Sequence, residues 1–171
     1  MQETTHPWHR RSLRLQGYDY GGAGAYFLTL CAHQRACLFG DILDGIMHEN
    51  EAGQAVREAW ESLPDRFPDA ELDAFVVMPN HVHGILLIGD SHEHDHLGRV
   101  VGAFKSLTVY RYNQGVVGEG WPRYTGKLWQ RNYYEHVIRN EETLDQIRRY
   151  IMGNPGQWLD DPEHPQAGQR G

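Results

Sequence analysis

Two histidines separated by a single residue, His81 and His83, are the side chains in this sequence best suited to chemistry. Alternate side chains of a β-strand share one face and lie about 7 Å apart along the backbone, so both imidazoles can reach one metal ion. Such a pair needs a further ligand, and an oxygen donor favours Mg²⁺ or Mn²⁺ over a closed zinc site. The spacing by itself is equally compatible with two histidines in an ordinary turn, so other residues must decide.

Tyr150 lies close to the end of the last predicted helix, where a tyrosine taken alone is most simply a residue that packs the helix on the sheet, although its phenol could also act as a nucleophile. A phenol with its ordinary pKa of about 10 attacks poorly and needs a metal ion or a base nearby. Asn154 follows four residues later on the same helix face, although Asn154-Pro155 is also an ordinary helix terminator. Tyr133 and Tyr134 form a competing pair, but in an extended segment only one of them could face a metal.

Other clusters offer alternative ligands. His92, His94 and His96 alternate within residues 91–96, and such a tract can bind metal. It lies in a polar loop, which favours a solvated segment or an adventitious site. Glu135-His136 could also supply ligands, but the extended pattern around this pair favours a place in the sheet.

Positive charge is concentrated in one part of the chain, although the net charge is −7. Residues 40–73 hold ten acidic side chains and two arginines, whereas residues 99–131 hold six basic side chains and one acidic residue. Because phosphate binding draws its affinity from Lys and Arg, this division predicts one face that attracts DNA and one that repels it. The six basic residues are Arg99, Lys105, Arg111, Arg123, Lys127 and Arg131, and Trp121, Tyr124 and Trp129 among them could stack on unpaired bases.

The elements that must position these residues follow from hydrophobic periodicity. Alternating and apolar runs predict strands, and spacings of three and four predict helices. The resulting order of strands and helices is that of a split β-α-β unit, so we predict an α+β, ferredoxin-like antiparallel sheet with an additional C-terminal helix that carries Tyr150. The predicted strands cover residues 25–32, 72–78, 82–88 and 128–138, the helices cover 48–63, 97–112 and 141–153, and a glycine-rich loop surrounds Gly115, Gly118 and Gly120.

The length of the chain predicts one domain, residues 21–158, between two appendages. Residues 1–20 are expected to form a flexible basic arm, and residues 159–171 a disordered tail rich in Pro, Gly and acid. Cys31 and Cys37 are expected to be reduced. Apolar runs are shorter than the roughly 20 residues of a membrane span, and we expect a cytoplasmic, nucleoid-associated protein with no membrane partner.

Four ordered segments make the sequence resemble a known family. The segments are Val76–Gly84, Val101–Ser106, Trp129–Asn140, and Tyr150-Ile151 with Asn154-Pro155. The first resembles the HUH motif of single-tyrosine transposases, which are also called HUH endonucleases, and the set is most similar to their REP-associated branch. The resemblance covers roughly residues 20–158.

This resemblance implies a transposase that nicks and rejoins single-stranded DNA beside a hairpin, through a covalent 5′-phosphotyrosine on Tyr150. His81, His83 and Asn154 would hold Mg²⁺ or Mn²⁺. REP-like palindromes would be the substrate, Arg10, Arg11 and Arg14 could clamp the hairpin, and the branch favours a monomer over a homodimer. Two other hypotheses stay open. One is a catalytically silent ferredoxin-like protein that binds single-stranded DNA or RNA. The other is a histidine phosphoesterase, against which no second HxH or HxT repeat lies in the predicted sheet, and the His-rich loop at residues 91–96 is a poor substitute.

Overall fold

A computed structural model describes residues 23–90 and 95–167 of the chain. Within them lie a four-stranded antiparallel sheet, a two-stranded hairpin and four α-helices. The strands are β1 (Gly24–Cys31), β2 (Gly40–Leu43), β3 (Ile46–Glu49), β4 (Ala70–Met78), β5 (His81–Ile88) and β6 (Tyr134–Ile138). The helices are α1 (Glu51–Glu61), α2 (Leu63–Arg66), α3 (His96–Gly118) and α4 (Glu141–Gly153), with 3₁₀ turns at His33–Arg35 and Pro155–Asp160.

The strand order of the main sheet is β4-β5-β1-β6, and every neighbouring pair is antiparallel. Counted within this sheet alone, the order is second, third, first, fourth, as the split β-α-β plan requires. Pro79-Asn80 forms the two-residue turn between β4 and β5. The predicted α+β class and the central hairpin are therefore confirmed.

Each face of the sheet is covered by helices, so β1 and β5 are buried on both sides. On one face Tyr26 and Leu28 belong to the larger apolar cluster, which includes residues of α1 and α3. On the other face Phe27 and Ile85 pack with Ile147 and other apolar residues of α4. Successive side chains of a strand alternate between faces, and this alternation separates the structural face of β1 from the face that meets α4.

Helix α4 begins where the sequence predicts. Asn140 is extended, and its side-chain oxygen accepts a hydrogen bond from the backbone N–H of Thr143. Glu141 and Glu142 occupy the first turn, where carboxylates interact favourably with the helix dipole. The cap fixes the phase of α4 and therefore the face on which Tyr150 lies.

Four segments differ from the prediction in their secondary structure. Helix α3 continues to Gly118, because Gly115 leaves room for Trp121: a Cβ on Gly115 would lie 2.1 Å from the indole. Only residues 134–138 of the predicted strand 128–138 form a strand, and residue 129 contributes a single bridge to residue 32. The hairpin β2–β3 was not predicted, and α1 starts at Glu51 because Asn50 caps it.

The tail is a further correction, because residues 159–167 are part of the folded structure. The composition of residues 159–171 favours disorder, whereas the 3₁₀ turn Pro155–Asp160 continues α4 and Asp161 is 3% exposed. The segment lies against the turn between β4 and β5, where Nδ2 of Asn80 donates a hydrogen bond to the carbonyl oxygen of Glu163. Among residues 23–90 and 95–167, no helix is both long and apolar enough to cross a membrane.

Candidate metal and tyrosine site

His81 and His83 occupy the start of β5 and point to the face of the sheet that meets α4. Both are completely buried, and their Nε2 atoms lie 3.1 Å apart. Strand β1 places Cys31 opposite His81 and Thr29 opposite His83. The alternation predicted from the sequence therefore brings the two imidazoles together.

Asn80 determines which nitrogen of His81 carries its proton. Its Nδ2 donates hydrogen bonds to the carbonyl oxygens of Arg35 and Glu163, at 3.1 and 2.7 Å. This orientation turns Oδ1 of Asn80 towards Nδ1 of His81, 2.7 Å away. An amide oxygen only accepts, so Nδ1 of His81 donates and Nε2 keeps its lone pair.

Thr29 makes the equivalent contact with His83. Its Oγ1 lies 2.7 Å from Nδ1 of His83 in a buried environment. When this Nδ1 donates to Thr29, Nε2 of His83 is also unprotonated and faces Nε2 of His81. Metal-ligating histidines in proteins are typically held by such a hydrogen bond on the other ring nitrogen.

Tyr150 lies beside this pair. Its ring is 5.3 Å from the ring of His83 and 6.1 Å from that of Phe27. Burial raises the pKa of the phenol well above its usual value, and the carboxylates of Asp161 and Glu163 raise it further. The Tyr150 phenol is therefore protonated at neutral pH in the metal-free site.

Helix α4 is held against the sheet by a salt bridge as well as by its apolar face. Arg148 contacts both carboxylate oxygens of Asp73 on β4, with Nε at 2.9 Å and Nη2 at 2.6 Å. The hydrogen bonds from Arg148 hold the pKa of Asp73 below its ordinary value. Arg148 is two residues before Tyr150, so this contact fixes the turn of α4 that carries the phenol.

Two further polar side chains enter the site from beyond Tyr150. Asn154 is 2% exposed and hydrogen-bonded to the Tyr150 side chain, and its Oδ1 is buried without a hydrogen-bond partner. Asp161 is buried with its Oδ2 3.5 Å from Nε2 of His81. The sequence analysis missed Asp161, because the Pro-rich acidic segment around it carries no hydrophobic period.

The donor set fits a divalent cation. Ligand atoms of His81, His83 and Asp161 all lie within 4.8 Å of one another. The separation of 3.1 Å between the two Nε2 atoms is shorter than two metal–nitrogen bonds of about 2.1 Å each, so both can bind one ion. Two imidazoles and a carboxylate are donors that commonly bind divalent metal ions in proteins.

Residues 45–154 match the sequence profile of the IS200-like transposases. The chain belongs to this family. A protein of Haemophilus influenzae (strain ATCC 51907 / DSM 11121 / KW20 / Rd) without a described function is 37% identical to the chain, over 90% of the chain and 92% of that protein. The matched region contains the HUH residues, Tyr150 and Asn154, whereas Asp161 follows it.

Two solved structures share the fold of this IS200-like family member. One is a REP-associated tyrosine transposase bound to a REP hairpin, with a TM-score of 0.60 and 22% identity, covering 84% of the chain and 73% of its own length. The other is a candidate transposase from Deinococcus radiodurans R1, with a TM-score of 0.52 and 23% identity, covering 82% and 96%. These similarities support the ferredoxin-like assignment.

The competing tyrosines separate as the alternation predicts. Tyr134 lies opposite Thr29 on the face of the site, and its ring is 6.0 Å from that of Phe27. Tyr133 instead lies beneath the ammonium group of Lys105, 5.4 Å from it. Tyr134 is therefore the one member of this pair on the side of the histidines.

Glu135 and His136 are both part of β6, as predicted. Glu135 is buried opposite Leu28, whereas His136 lies opposite Phe27. Burial and the neighbouring Arg139 lower the pKa of His136. Neither belongs to the group that could hold a metal among the described residues.

The histidine-rich segment 91–96 is only partly described. His92 and His94 lie outside the described residues. His96 is buried, and its Nε2 lies 2.9 Å from Oδ2 of Asp69. His96 therefore packs at the start of α3, away from the paired histidines of β5.

The predicted DNA-binding residues fall into three groups. Lys105 donates hydrogen bonds to the carbonyls of Gln130 and Arg131, and Arg111 pairs with Glu58, so these two cations have intramolecular partners. Arg99, Arg123, Lys127 and Arg131 are exposed. Arg10, Arg11 and Arg14 lie outside the described residues.

The aromatic residues expected to stack on bases instead have intramolecular contacts. Trp129 is 4% exposed and donates its indole N–H to Thr108. Trp121 and Tyr124 both pack edge-on against Tyr112. In this conformation they hold the segment after α3 rather than offer open platforms.

The segment that carries the exposed cations lies at the same end of the sheet as the histidines. The backbone N–H of Gln130 donates to the carbonyl of Cys31, and that of His33 donates to Leu128. Cys31 is the direct partner of His81 in the ladder. A polyanion that followed Arg123, Lys127 and Arg131 would therefore approach the end of the sheet at which the site lies.

Proposed function

We propose that this IS200-like transposase is a metal-dependent endonuclease and strand transferase for single-stranded DNA, with Tyr150 as the nucleophile. It would act beside a DNA hairpin through a covalent 5′-phosphotyrosine intermediate. The arrangement that supports this proposal best is the Tyr150 ring 5.3 Å from the ring of His83, whose Nε2 lies 3.1 Å from that of His81.

In the proposed cleavage step the Tyr150 oxygen attacks the scissile phosphorus. The new P–O bond replaces the bond to the 3′-oxygen, the phenol loses its proton, and the 3′-oxygen gains one. In the reverse direction a 3′-hydroxyl attacks the phosphotyrosine and Tyr150 leaves, so strands rejoin without an external energy source. Because burial and the neighbouring carboxylates raise the pKa of Tyr150, loss of the phenol proton is the demanding part of cleavage.

His81 and His83 are proposed to hold the ion, with Oδ1 of Asn154 as a third ligand. The buried Oδ1 without a hydrogen-bond partner supports this role for Asn154. A bound Mg²⁺ or Mn²⁺ would supply Lewis-acid polarisation of the phosphate and offset its growing negative charge. Asn80 and Thr29 orient the two imidazoles, and the amide of Asn154 holds the phenol.

We further propose a REP-like palindrome as the DNA partner, since the REP-associated relative of the same fold was solved on a REP hairpin. The exposed cations at the end of the sheet would contact its phosphates, with the N-terminal arginines as a clamp. Because α4 packs on the sheet of its own chain, one molecule can present histidines and tyrosine together, which favours a monomer. We also propose that this activity takes place on DNA in the cytoplasm.

The proposal is tested with a labelled hairpin oligonucleotide that carries a single-stranded flank, incubated with the protein and Mn²⁺. Denaturing electrophoresis should show a covalent protein–DNA adduct, and Tyr150→Phe should lose it while hairpin affinity in a mobility-shift assay is kept. Tyr134→Phe is the matched control, because Tyr134 lies on the same face, and it should still form the adduct.

An adduct that persists in Tyr150→Phe and disappears in Tyr134→Phe would identify Tyr134, on β6, as the nucleophile. A wild-type protein that binds hairpins tightly but forms no adduct with Mn²⁺ or Mg²⁺ would instead support the hypothesis of a catalytically silent nucleic-acid-binding protein. Peptide mapping of the adduct assigns the attached tyrosine directly.

A further inference from the structure

The chain beyond α4 brings a carboxylate to the paired histidines. Asp161 lies eleven residues after Tyr150, at the end of the 3₁₀ turn Pro155–Asp160. Its side chain is 0% exposed, and Oδ2 lies 3.5 Å from Nε2 of His81. This is the same nitrogen that Asn80 leaves with a lone pair, so a donor oxygen and a donor nitrogen face one small volume.

Several contacts fix the position of Asp161. Its Oδ1 accepts a hydrogen bond of 2.7 Å from the backbone N–H of Glu163, which leaves Oδ2 as the oxygen that faces His81. The backbone of Glu163 is in turn held by Nδ2 of Asn80, and its carboxylate pairs with Arg35 at 3.4 Å. Asn80 therefore contacts both the first histidine and the segment that delivers the carboxylate.

Charge gives a second argument. His81 and His83 bind a metal as neutral imidazoles, and Asn154 adds only a neutral amide oxygen, so these three ligands leave a divalent ion uncompensated. The carboxylate of Asp161, with Oδ2 3.5 Å from Nε2 of His81, would supply this missing negative charge.

We propose that Asp161 is a direct ligand of the divalent ion and supplies the anionic donor of the site. This inference rests on the proposed metal dependence and extends the ligand set beyond the segment matched to the family. The site would then be completed by the chain segment after the tyrosine helix.

The first experiment measures Mn²⁺ binding to the full chain, freed of metal beforehand, by isothermal titration calorimetry without DNA. Asp161→Asn should weaken binding by at least about tenfold, the scale on which outer-shell contacts already act. The matched control is Asp160→Asn, which removes an equal charge from the adjacent exposed position and should keep the wild-type affinity. Circular dichroism and thermal unfolding establish that each variant is folded.

The second experiment separates direct ligation from a remote charge effect. A thiolate ligand favours soft cations over hard ones. Asp161→Cys should therefore raise affinity for Cd²⁺ relative to Mn²⁺ and produce the ultraviolet thiolate-to-Cd²⁺ charge-transfer band, whereas Asp160→Cys should not. The wild type controls for the native Cys31 and Cys37.

Wild-type affinity for Mn²⁺ in folded Asp161→Asn, or no change of Cd²⁺ preference in Asp161→Cys, would overturn this inference. If His81→Ala abolishes Mn²⁺ binding in that same series, the proposed function survives without Asp161. If the wild type itself binds no divalent ion, the metal dependence fails with it.

Discussion

Oγ1 of Thr29 lies 2.7 Å from Nδ1 of His83, in a buried contact between adjacent strands. A hydroxyl can accept or donate, so it can follow either tautomer of the imidazole, whereas Asn80 imposes one tautomer on His81. The two histidines are therefore held by partners of different hydrogen-bonding capacity. Neither partner was singled out by residue spacing: Thr29 meets His83 through the register of β1 and β5, and Asn80 directly precedes His81 in the turn between β4 and β5.

Replacing Thr29 with Val removes the hydrogen bond while conserving the shape of the side chain. We expect Mn²⁺ affinity to fall by about 10- to 100-fold, as for other partners that orient metal-ligating histidines. Calorimetric titration measures the change, and Thr29→Ser is the control that keeps the hydroxyl. An unchanged affinity in folded Thr29→Val would show that packing alone orients His83.

Ionisation of Tyr150 gives a second prediction. Because burial and nearby carboxylates raise the pKa of its phenol, the metal-free group should stay neutral up to and beyond about pH 10. The difference in tyrosinate absorbance between wild type and Tyr150→Phe measures this during an alkaline titration. The cleavage rate should correspondingly rise with pH from neutral to mildly alkaline conditions, and Glu163→Gln should shift the titration downwards. A phenol that ionises near neutral pH without metal would contradict the prediction.

The contact between Asp73 and Arg148 predicts a pH-dependent stability. The pKa of Asp73 is lower in the folded protein than in the unfolded chain, so the bridge stabilises fully above the unfolded value of about 3.9 and is lost as pH falls through the folded value. Asp73→Asn should therefore lower Tm at pH 7, and the difference from wild type should shrink in acid.

Asp145→Asn is the matched control for Asp73→Asn. It removes a partner of the same arginine, but Asp145 is 58% exposed and contributes less in high dielectric. A loss of Tm as large as that of Asp73→Asn would place the stabilisation in the helix rather than in its contact with β4.

DNA affinity should divide the basic residues according to their intramolecular contacts. Arg123→Ala, Lys127→Ala and Arg131→Ala should each weaken hairpin binding and lower the slope of log affinity against log salt by about 1. Arg111→Ala should change the slope less, because Arg111 already pairs with Glu58. Fluorescence anisotropy across a salt series provides the measurement, and equal slopes for all four variants would refute the division.

Gly84, directly after His83, lies under an aromatic pair. A Cβ at this position would come within 2.6 Å of Trp60, whose ring stacks on Phe75 with centroids 4.6 Å apart. Gly84→Ala should cost about 1–3 kcal/mol of unfolding free energy, as overpacking of a core usually does. Denaturant unfolding tests this.

Gly102 provides the matched control for Gly84. It is exposed within α3, and a Cβ there meets nothing within 4 Å. Gly102→Ala should be neutral or stabilise by up to about 1 kcal/mol through helix propensity. Equal destabilisation by the two substitutions would contradict the packing argument.

The sheet and two of its site residues were predictable because their signals are local. Alternation places His81 and His83 on one face, and Asn140 marks the start of the tyrosine helix, each through contacts between near neighbours in sequence. The α+β order followed from such signals. Family resemblance then added the roles proposed for Tyr150 and Asn154, which spacing alone left open.

The position of Asp161 and the intramolecular contacts of the aromatic residues after α3 could not be predicted in the same way. The position of Asp161 depends on contacts of the following segment with Asn80, across 83 residues of sequence for the bond to Glu163. Trp129 looked available because its segment is basic, yet its indole meets Thr108 on α3. Long-range contacts of this kind leave no periodic pattern in the sequence.

The order β4-β5-β1-β6 has a consequence for the timing of assembly during synthesis. One edge of β1 stays unpaired until β6, more than 100 residues later in the sequence, has left the ribosome. Helix α4 and Asp161 are synthesised after β6. A nascent chain can thus form the histidine hairpin long before it contains Tyr150, the proposed nucleophile. Activity would begin only on a chain that has already been translated through this last region.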